Sequence, residues 1–150
     1  MSARKLAATL ALAALAACGP VQRFPGGPLG GELVLDPVAD WSFVEQIPYA
    51  AVETRPEYPH SVTTILWGKG ESLYVPARNP RGKQWVRHAL EDARVKIAID
   101  GKLYLRRAVR VLDAAELEQV RLGISAKYNR PLPANPSELP ETWVFRLDPR

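Results

Sequence analysis

The sequence is poor in the residues that staple or metallate small proteins: it has one cysteine and two histidines. A single thiol excludes an intramolecular disulfide framework and any multi-cysteine zinc site. Neither histidine stands in a spacing such as H-E-x-x-H, so no resident metal ion is expected. There is no G-x-S-x-G elbow for serine hydrolysis and no internal repeat. Acidic residues are in modest deficit, 16 against 20 Lys and Arg, for a net charge of +4. Arg4 and Lys5 fall in a leader that is read below as removed, which lowers the net charge to +2. Compositional support for nucleic-acid binding goes with them. What remains is a chain of 150 residues with 47% hydrophobic content, enough for one domain with its own core and too short for two of ordinary size.

Met1 to Lys5 forms a short basic start, followed by Leu6 to Ala17, twelve residues of Ala, Leu and a single Thr. That is the length of a secretory h-region, whereas a spanning helix needs about 20 apolar residues. The run stops at Cys18, Gly19 and Pro20. Leu15-Ala16-Ala17-Cys18 resembles the lipobox of bacterial lipoproteins, with Leu three residues before the cysteine and small residues between. Small side chains admit a peptidase to the scissile bond, and the free thiol accepts lipid. The resemblance implies a signal peptide over residues 1–17, a diacylglyceryl thioether on Cys18 and an acylated amine. Two or more acyl chains anchor stably, at about 0.8 kcal/mol per buried methylene. Gly19 after the cysteine, in place of Asp, points to the outer membrane of the cell envelope, facing the periplasm. Residues 18–31 then read as a lipidated flexible tether, since 19–31 hold five glycines and three prolines. The Gly26-Gly27 and Gly30-Gly31 pairs lack the preceding strand and following Gly-Lys-Ser/Thr of a phosphate loop.

Residues 32–150 carry the folded domain. Glu32 to Leu35 reads as a short strand and Asp36 to Gln46 as an irregular or helical segment bearing Trp41, Phe43 and Val44. Tyr49 to Arg55 alternates as a strand and stops at Pro56. Ser61 to Trp67, the turn Gly68-Lys69-Gly70 and Glu71 to Ala77 read as a hairpin. Trp85, Val86, Ala89 and Leu90 then repeat at helical spacing, with Arg87 and Glu91 placed as an i,i+4 pair facing water. Arg94 to Ile99 and Lys102 to Leu112 flank Asp100-Gly101, whose type I′ turn demands positive φ twice. Asp113 to Glu116 forms a capping box, behind which Leu117, Val120 and Ile124 line one face of a helix running to about Tyr128. Asn129 to Pro140, with four prolines, reads as an extended surface connection, and Glu141 to Leu147 as a last strand. The expected fold is β-rich α+β, a small antiparallel split β-barrel with two flanking helices.

This order of elements, with T-T-I-L-W, L-Y-V-P-A and W-V-R-H-A-L-E-D-A-R-V leading into the Asp-Gly hairpin, resembles the FMN-binding split barrel. Within it the chain is most similar to the deazaflavin-dependent nitroreductase and pyridoxamine phosphate oxidase-like groups, over roughly residues 50–118. The resemblance implies an FMN or deazaflavin cofactor, and a homodimer with the cofactor groove between subunits. In that family a Gly-Arg-Lys-Ser-Gly-like loop holds the phosphate; here the matching stretch is Thr54-Arg55-Pro56-Glu57-Tyr58-Pro59-His60-Ser61. Its arginine remains as Arg55 while the lysine and glycines do not, two prolines remove amide donors, and Glu57 adds a repelling charge. For a cofactor the candidate phosphate and hydroxyl donors are Arg55, His60, Ser61 and Thr63, joined by Arg78, Asn79 and Lys83. Trp67 or Trp85 would wall the ring system.

Against this stands the plainer reading that Arg78, Arg81 and Lys83 are solvated loop charges and that Trp67 and Trp85 are core. His88 is expected on the surface, and the strand cations Arg106 and Arg110, which share a face, on a solvated sheet face. The favoured functional expectation is a lipid-anchored envelope protein whose domain binds a small ligand or a protein partner, its membrane contact made through Cys18. The alternatives are a flavin- or deazaflavin-dependent oxidoreductase and a structural role using the Pro131 to Pro140 segment and the arginines as contact surfaces.

Overall fold

A computed structural model describes residues 19–20 and 25–150. The expected signal peptide and Cys18 lie outside the described residues. Among the described residues, eight strands form one sheet: β1 (Glu32–Val34), β2 (Ala50–Thr54), β3 (His60–Thr64), β4 (Trp67–Lys69), β5 (Ser72–Arg78), β6 (Arg94–Ile99), β7 (Lys102–Arg110) and β8 (Thr142–Pro149). Two α-helices accompany them, α1 (Gln84–Glu91) and α2 (Ala114–Lys127). The strand order is β3-β2-β6-β7-β8-β5-β4, every pair on this path being antiparallel, while β1 adds to β7 in parallel.

Val52 of β2, Ile97 of β6, Phe145 and Leu147 of β8 and Val75 of β5 all belong to one buried cluster. Strands so far apart in the order can share a core only if the sheet curls around it, as sheet twist encourages. Trp85, Val86 and Ala89 of α1 close one end of that cluster. A second cluster lies outside the sheet, where Trp67, Tyr74, Val111 and Val144 meet Val120, Leu117 and Ile124 of α2. Strand β8 is therefore apolar on both faces: Phe145 and Leu147 point into the first core and Val144 into the second. This explains its run of alternating large residues with few charges.

Local signals account for the turns. Asp100 and Gly101 have φ of 48° and 78°, as the hairpin between β6 and β7 requires. The Asp113 carboxylate accepts from the Glu116 N–H at 2.8 Å and caps α2. Glu116 does not complete a reciprocal box; its carboxylate takes the Tyr74 hydroxyl at 2.9 Å and Arg146 at 2.8 Å, fastening α2 to β5 and β8.

Four expectations are corrected. Ser61 to Trp67 is not one strand, because the chain leaves the ladder at Ile65-Leu66, where the Leu66 N–H donates to the Tyr128 hydroxyl at 3.0 Å. Its hairpin is consequently shorter, β4 pairing Trp67 with Tyr74 and turning at Gly70. His88 is 5% exposed, not on the surface. Arg106 is also buried; its Nε donates to the Leu147 carbonyl at 2.8 Å and its guanidinium lies 5.2 Å from the Trp41 ring centre. Arg110 stays exposed and stacks 3.6 Å over Trp143. Finally, Leu90 is exposed, and His88 replaces it on the buried face of α1.

The stretch just before β1 packs on the body. Gly26 and Ser61 exchange backbone hydrogen bonds of 2.8 and 2.9 Å. Leu29 is buried, and its N–H donates to Glu53 Oε2 at 2.6 Å. Glu53, itself buried, also takes Lys96 Nζ at 3.2 Å. Charge-assisted bonds of this kind fix residues that composition alone would leave loose.

Candidate functional site

A groove of about 1170 Å³ opens where β3, an end strand of the sheet order, faces the outer side of β5 and β8. The remaining walls are the start of α1, one face of α2 and the proline-rich segment before β8. Five of the eight residues expected to hold a cofactor line it: His60, Thr63, Arg78, Lys83 and Trp85. They come from β3, from the end of β5 and from the first turn of α1, elements that the β2–β6 and β5–β8 pairings bring together.

The other three lie elsewhere. Arg55 is exposed at φ 55°, its guanidinium 5.7 Å from the Tyr58 ring centre. Ser61 is fully buried and its hydroxyl donates to the Gly27 carbonyl at 2.7 Å, sealing the seam with the N-terminal stretch. Asn79 sits at φ 51°, turning the chain from β5 toward α1, with its N–H on the Glu141 carbonyl at 2.8 Å. The two prolines of the 54–61 stretch thus leave a loop held by its own contacts: Glu57 pairs with Arg94 at 2.9 Å.

The groove has a cationic end and an apolar length. Arg78 and Lys83 are exposed, and neither has a carboxylate partner among the described residues. Lys83 is also the residue immediately before α1, and no side chain caps that helix start. The first-turn N–H groups of α1 therefore remain available beside two cations, an arrangement that favours anions. Arg121, farther along, is already spent on Glu118 at 2.6 Å. Val62, Ile65, Pro76 and Val144 provide apolar wall from the strands, and Leu117 and Ile124 from α2. Trp85 is 5% exposed and packs 5.4 Å from the Phe145 ring centre, so it forms the floor and little of the open wall. Trp67 belongs to the second core.

Residues 129–140, expected as a surface connection, carry a 3-10 turn at Pro136–Glu138 and form one side of the groove through Leu132, Pro133, Leu139 and Pro140. Hydrogen bonds tie down the ends: the Ser125 hydroxyl meets the Arg130 carbonyl, and the Thr142 hydroxyl donates to the Pro140 carbonyl at 3.1 Å. The contribution of α2 and of Gln84 was not readable from spacing, since nothing local links residues 117–125 to residues 60–65.

No family model and no curated protein matches the sequence. Solved structures do match. A pyridoxamine 5′-phosphate oxidase-like protein from Listeria innocua superposes with a TM-score of 0.56 at 16% identity, covering 71% of this chain and 87% of that one. A conserved hypothetical protein from Mycobacterium tuberculosis gives 0.59 at 15%, covering 79% and 86%. An F420 reductase gives 0.53 at 17%, covering 77% and 96%. The fold is the pyridoxamine phosphate oxidase-like split barrel. At these identities the likeness concerns the split barrel alone, and the groove is judged on its own residues.

Proposed function

We propose that this split barrel binds a flat, anionic aromatic cofactor of the flavin or deazaflavin class in the groove beside β3. The observation that carries the reading is the pair Arg78 and Lys83, unpaired with carboxylates among the described residues, at the uncapped start of α1 and opening onto apolar wall. The volume of about 1170 Å³ exceeds the roughly 300–1,000 Å³ of common ligand pockets, so ring system and side chain both fit. Arg78, Lys83 and the first-turn amides of α1 hold the phosphate. Val62, Pro76 and Val144 flank the rings, Thr63 offers a hydroxyl, and the proline-rich segment excludes water from that side. A bound flavin or deazaflavin supplies hydride transfer, the chemistry of the oxidoreductase reading. That one of the proteins sharing the fold is an F420 reductase supports the deazaflavin class.

The test is titration of the full chain with FMN and with deazaflavin, followed by flavin fluorescence. A charge-assisted hydrogen bond contributes about 1.5–3 kcal/mol, so Arg78→Glu is expected to weaken binding about tenfold or more. Arg55→Ala is expected to leave affinity unchanged. Absence of saturable binding by either flavin would overturn the reading.

We further propose that the protein is held at a membrane through lipid on Cys18, on the strength of Leu15-Ala16-Ala17-Cys18. Cys18→Ser is expected to abolish incorporation of labelled palmitate; undiminished labelling would contradict it.

A further inference from the structure

Residues 26–31 cross one face of the barrel as a strap. At the outer edge of β3, Gly26 and Ser61 exchange backbone hydrogen bonds and the Ser61 hydroxyl donates to the Gly27 carbonyl. Over β2, the buried Leu29 donates its N–H to Glu53 Oε2 at 2.6 Å. At the start of β7, the Glu32 N–H reaches the Gly101 carbonyl at 3.0 Å, and Gly31, at φ 148°, lies so close that a Cβ would stand 2.6 Å from that oxygen. The chain before the strap touches it again: a Cβ on Gly19 would be 3.3 Å from Leu29 Cδ2, and Gly19 and Pro20 are half-buried. Cys18 is the preceding residue, about 3.8 Å from Gly19 between Cα atoms. A free chain over residues 19–31 would instead let the anchor range about 20 Å from the body. The anchor point is therefore fixed beside one face.

The strands beneath the strap define that face. Val52, Ile97 and Tyr104 belong to the first core and Val34 packs against it, so their neighbours along the strands point the other way. The register sets Glu53, Lys96 and Leu105 abreast on β2, β6 and β7, and beside them Ala98, Leu103 and Leu33 on β6, β7 and β1. Helix α1 buries its apolar side in the first core and α2 in the second, so neither is the cover of these rows. Leu33 is 48% exposed, and Leu35, just past β1, is 79% exposed. The charges on the face are already matched: Lys96 with Glu53, Arg94 with Asp92 and Glu57, while Arg107 stands opposite Asp148 in the β7–β8 register. Such a face meets a bilayer through its leucines rather than by attraction to lipid phosphates.

We infer that the outer face of β2, β6, β7 and β1, crossed by the strap, is the surface by which the protein lies on a lipid bilayer, with Leu33 and Leu35 entering the boundary between headgroups and acyl chains. The inference rests on the lipidated Cys18 proposed above and not on the flavin. Two features point to a bilayer as the occupant. The chain leaves the described residues at Gly19, against the strap, so lipid on Cys18 inserts beside this face. The exposed leucines supply a second membrane contact that adds to the acyl anchor. Because that contact is apolar, it holds in high salt, where the attraction of cations to anionic lipid is screened.

With Cys18 carrying lipid, a cysteine placed elsewhere is the one free thiol of the full chain. Leu33→Cys, Leu35→Cys and, on α2, Leu122→Cys, at a leucine 52% exposed, each receive a nitroxide in protein floated with vesicles of phosphatidylethanolamine and phosphatidylglycerol. The ratio of collisions with oxygen to collisions with a water-soluble nickel chelate is expected to be several times higher at positions 33 and 35 than at 122, and unchanged in high salt. In the unmodified chain, the amides of Gly26 and Leu29, both hydrogen-bonded, are expected to exchange slowly with deuterium. Exchange as fast as in a free tether would overturn the proposal. If the protein floats and all three sites give the same ratio, the face is wrong and the anchor stands. If it does not float and Cys18 itself takes the nitroxide, anchor and face fall together. Positions 33 and 35 shielded from both reagents, with or without vesicles, would mean that a second copy of the chain covers the face, which also contradicts the proposal.

Discussion

Lys127, in the last turn of α2, donates to the carbonyls of Val44, Ile47 and Leu66 at 2.7, 2.8 and 2.7 Å. One ammonium satisfies backbone groups of the 3-10 turn at Ser42–Gln46, of the stretch after it, and of the break between β3 and β4. Lys127→Met keeps the aliphatic stem and strands the acceptors. Replacing it should cost about 2–3 kcal/mol, read as a lower urea midpoint at unchanged slope; an unchanged midpoint would show that water satisfies these carbonyls equally well. Residues of this kind are the least legible in sequence. Arg106 looked like a solvated strand cation, and His88 a surface helix residue, because their partners are 41 and 34 positions away: the Leu147 carbonyl and the Thr54 hydroxyl. By contrast, Asp100-Gly101 and Asp113 were readable, since positive φ and an N-cap are satisfied by neighbours within three residues.

Element by element, the same division holds. Strands β6, β7 and β8 and helix α2 follow from their own periodicity, and each lies where alternation or helical spacing places it. The β3–β4 break does not, because Leu66 exchanges its ladder partners for the Tyr128 hydroxyl and Lys127, groups more than sixty residues downstream. Helix α2 also depends on Gly123, which sits directly on the Trp67 indole: a Cβ built there would be 2.1 Å from Trp67 Cε2. Gly123→Ala gains about 1 kcal/mol of helix propensity. The clash displaces a buried indole, and overpacking costs about 1–3 kcal/mol. The variant is therefore expected to melt at lower temperature and to show altered tryptophan fluorescence. A raised melting temperature would mean that α2 can lift off Trp67 at no cost.

At the scale of the whole molecule, the groove is assembled from six elements that no single window of sequence contains. His60, Thr63, Arg78, Lys83 and Trp85 were identifiable as chemistry-bearing residues near a resemblance to split barrels. Their convergence needs the β3-β2-β6-β7-β8-β5 order, and the α2 and proline-rich walls need the second core. Arg55 matches a motif position of the resembling family. Its left-handed conformation and contact with Tyr58 place it on the exposed turn after β2, outside the groove lining.

A crystal structure of the protein with FMN shows directly whether the groove beside β3 holds a flavin. The phosphate is expected within hydrogen-bonding reach of Arg78, Lys83 and the first-turn amides of α1, with the rings between β3 and the proline-rich segment. A phosphate held by Arg55 and its loop, or a flavin bound away from the groove altogether, would contradict it.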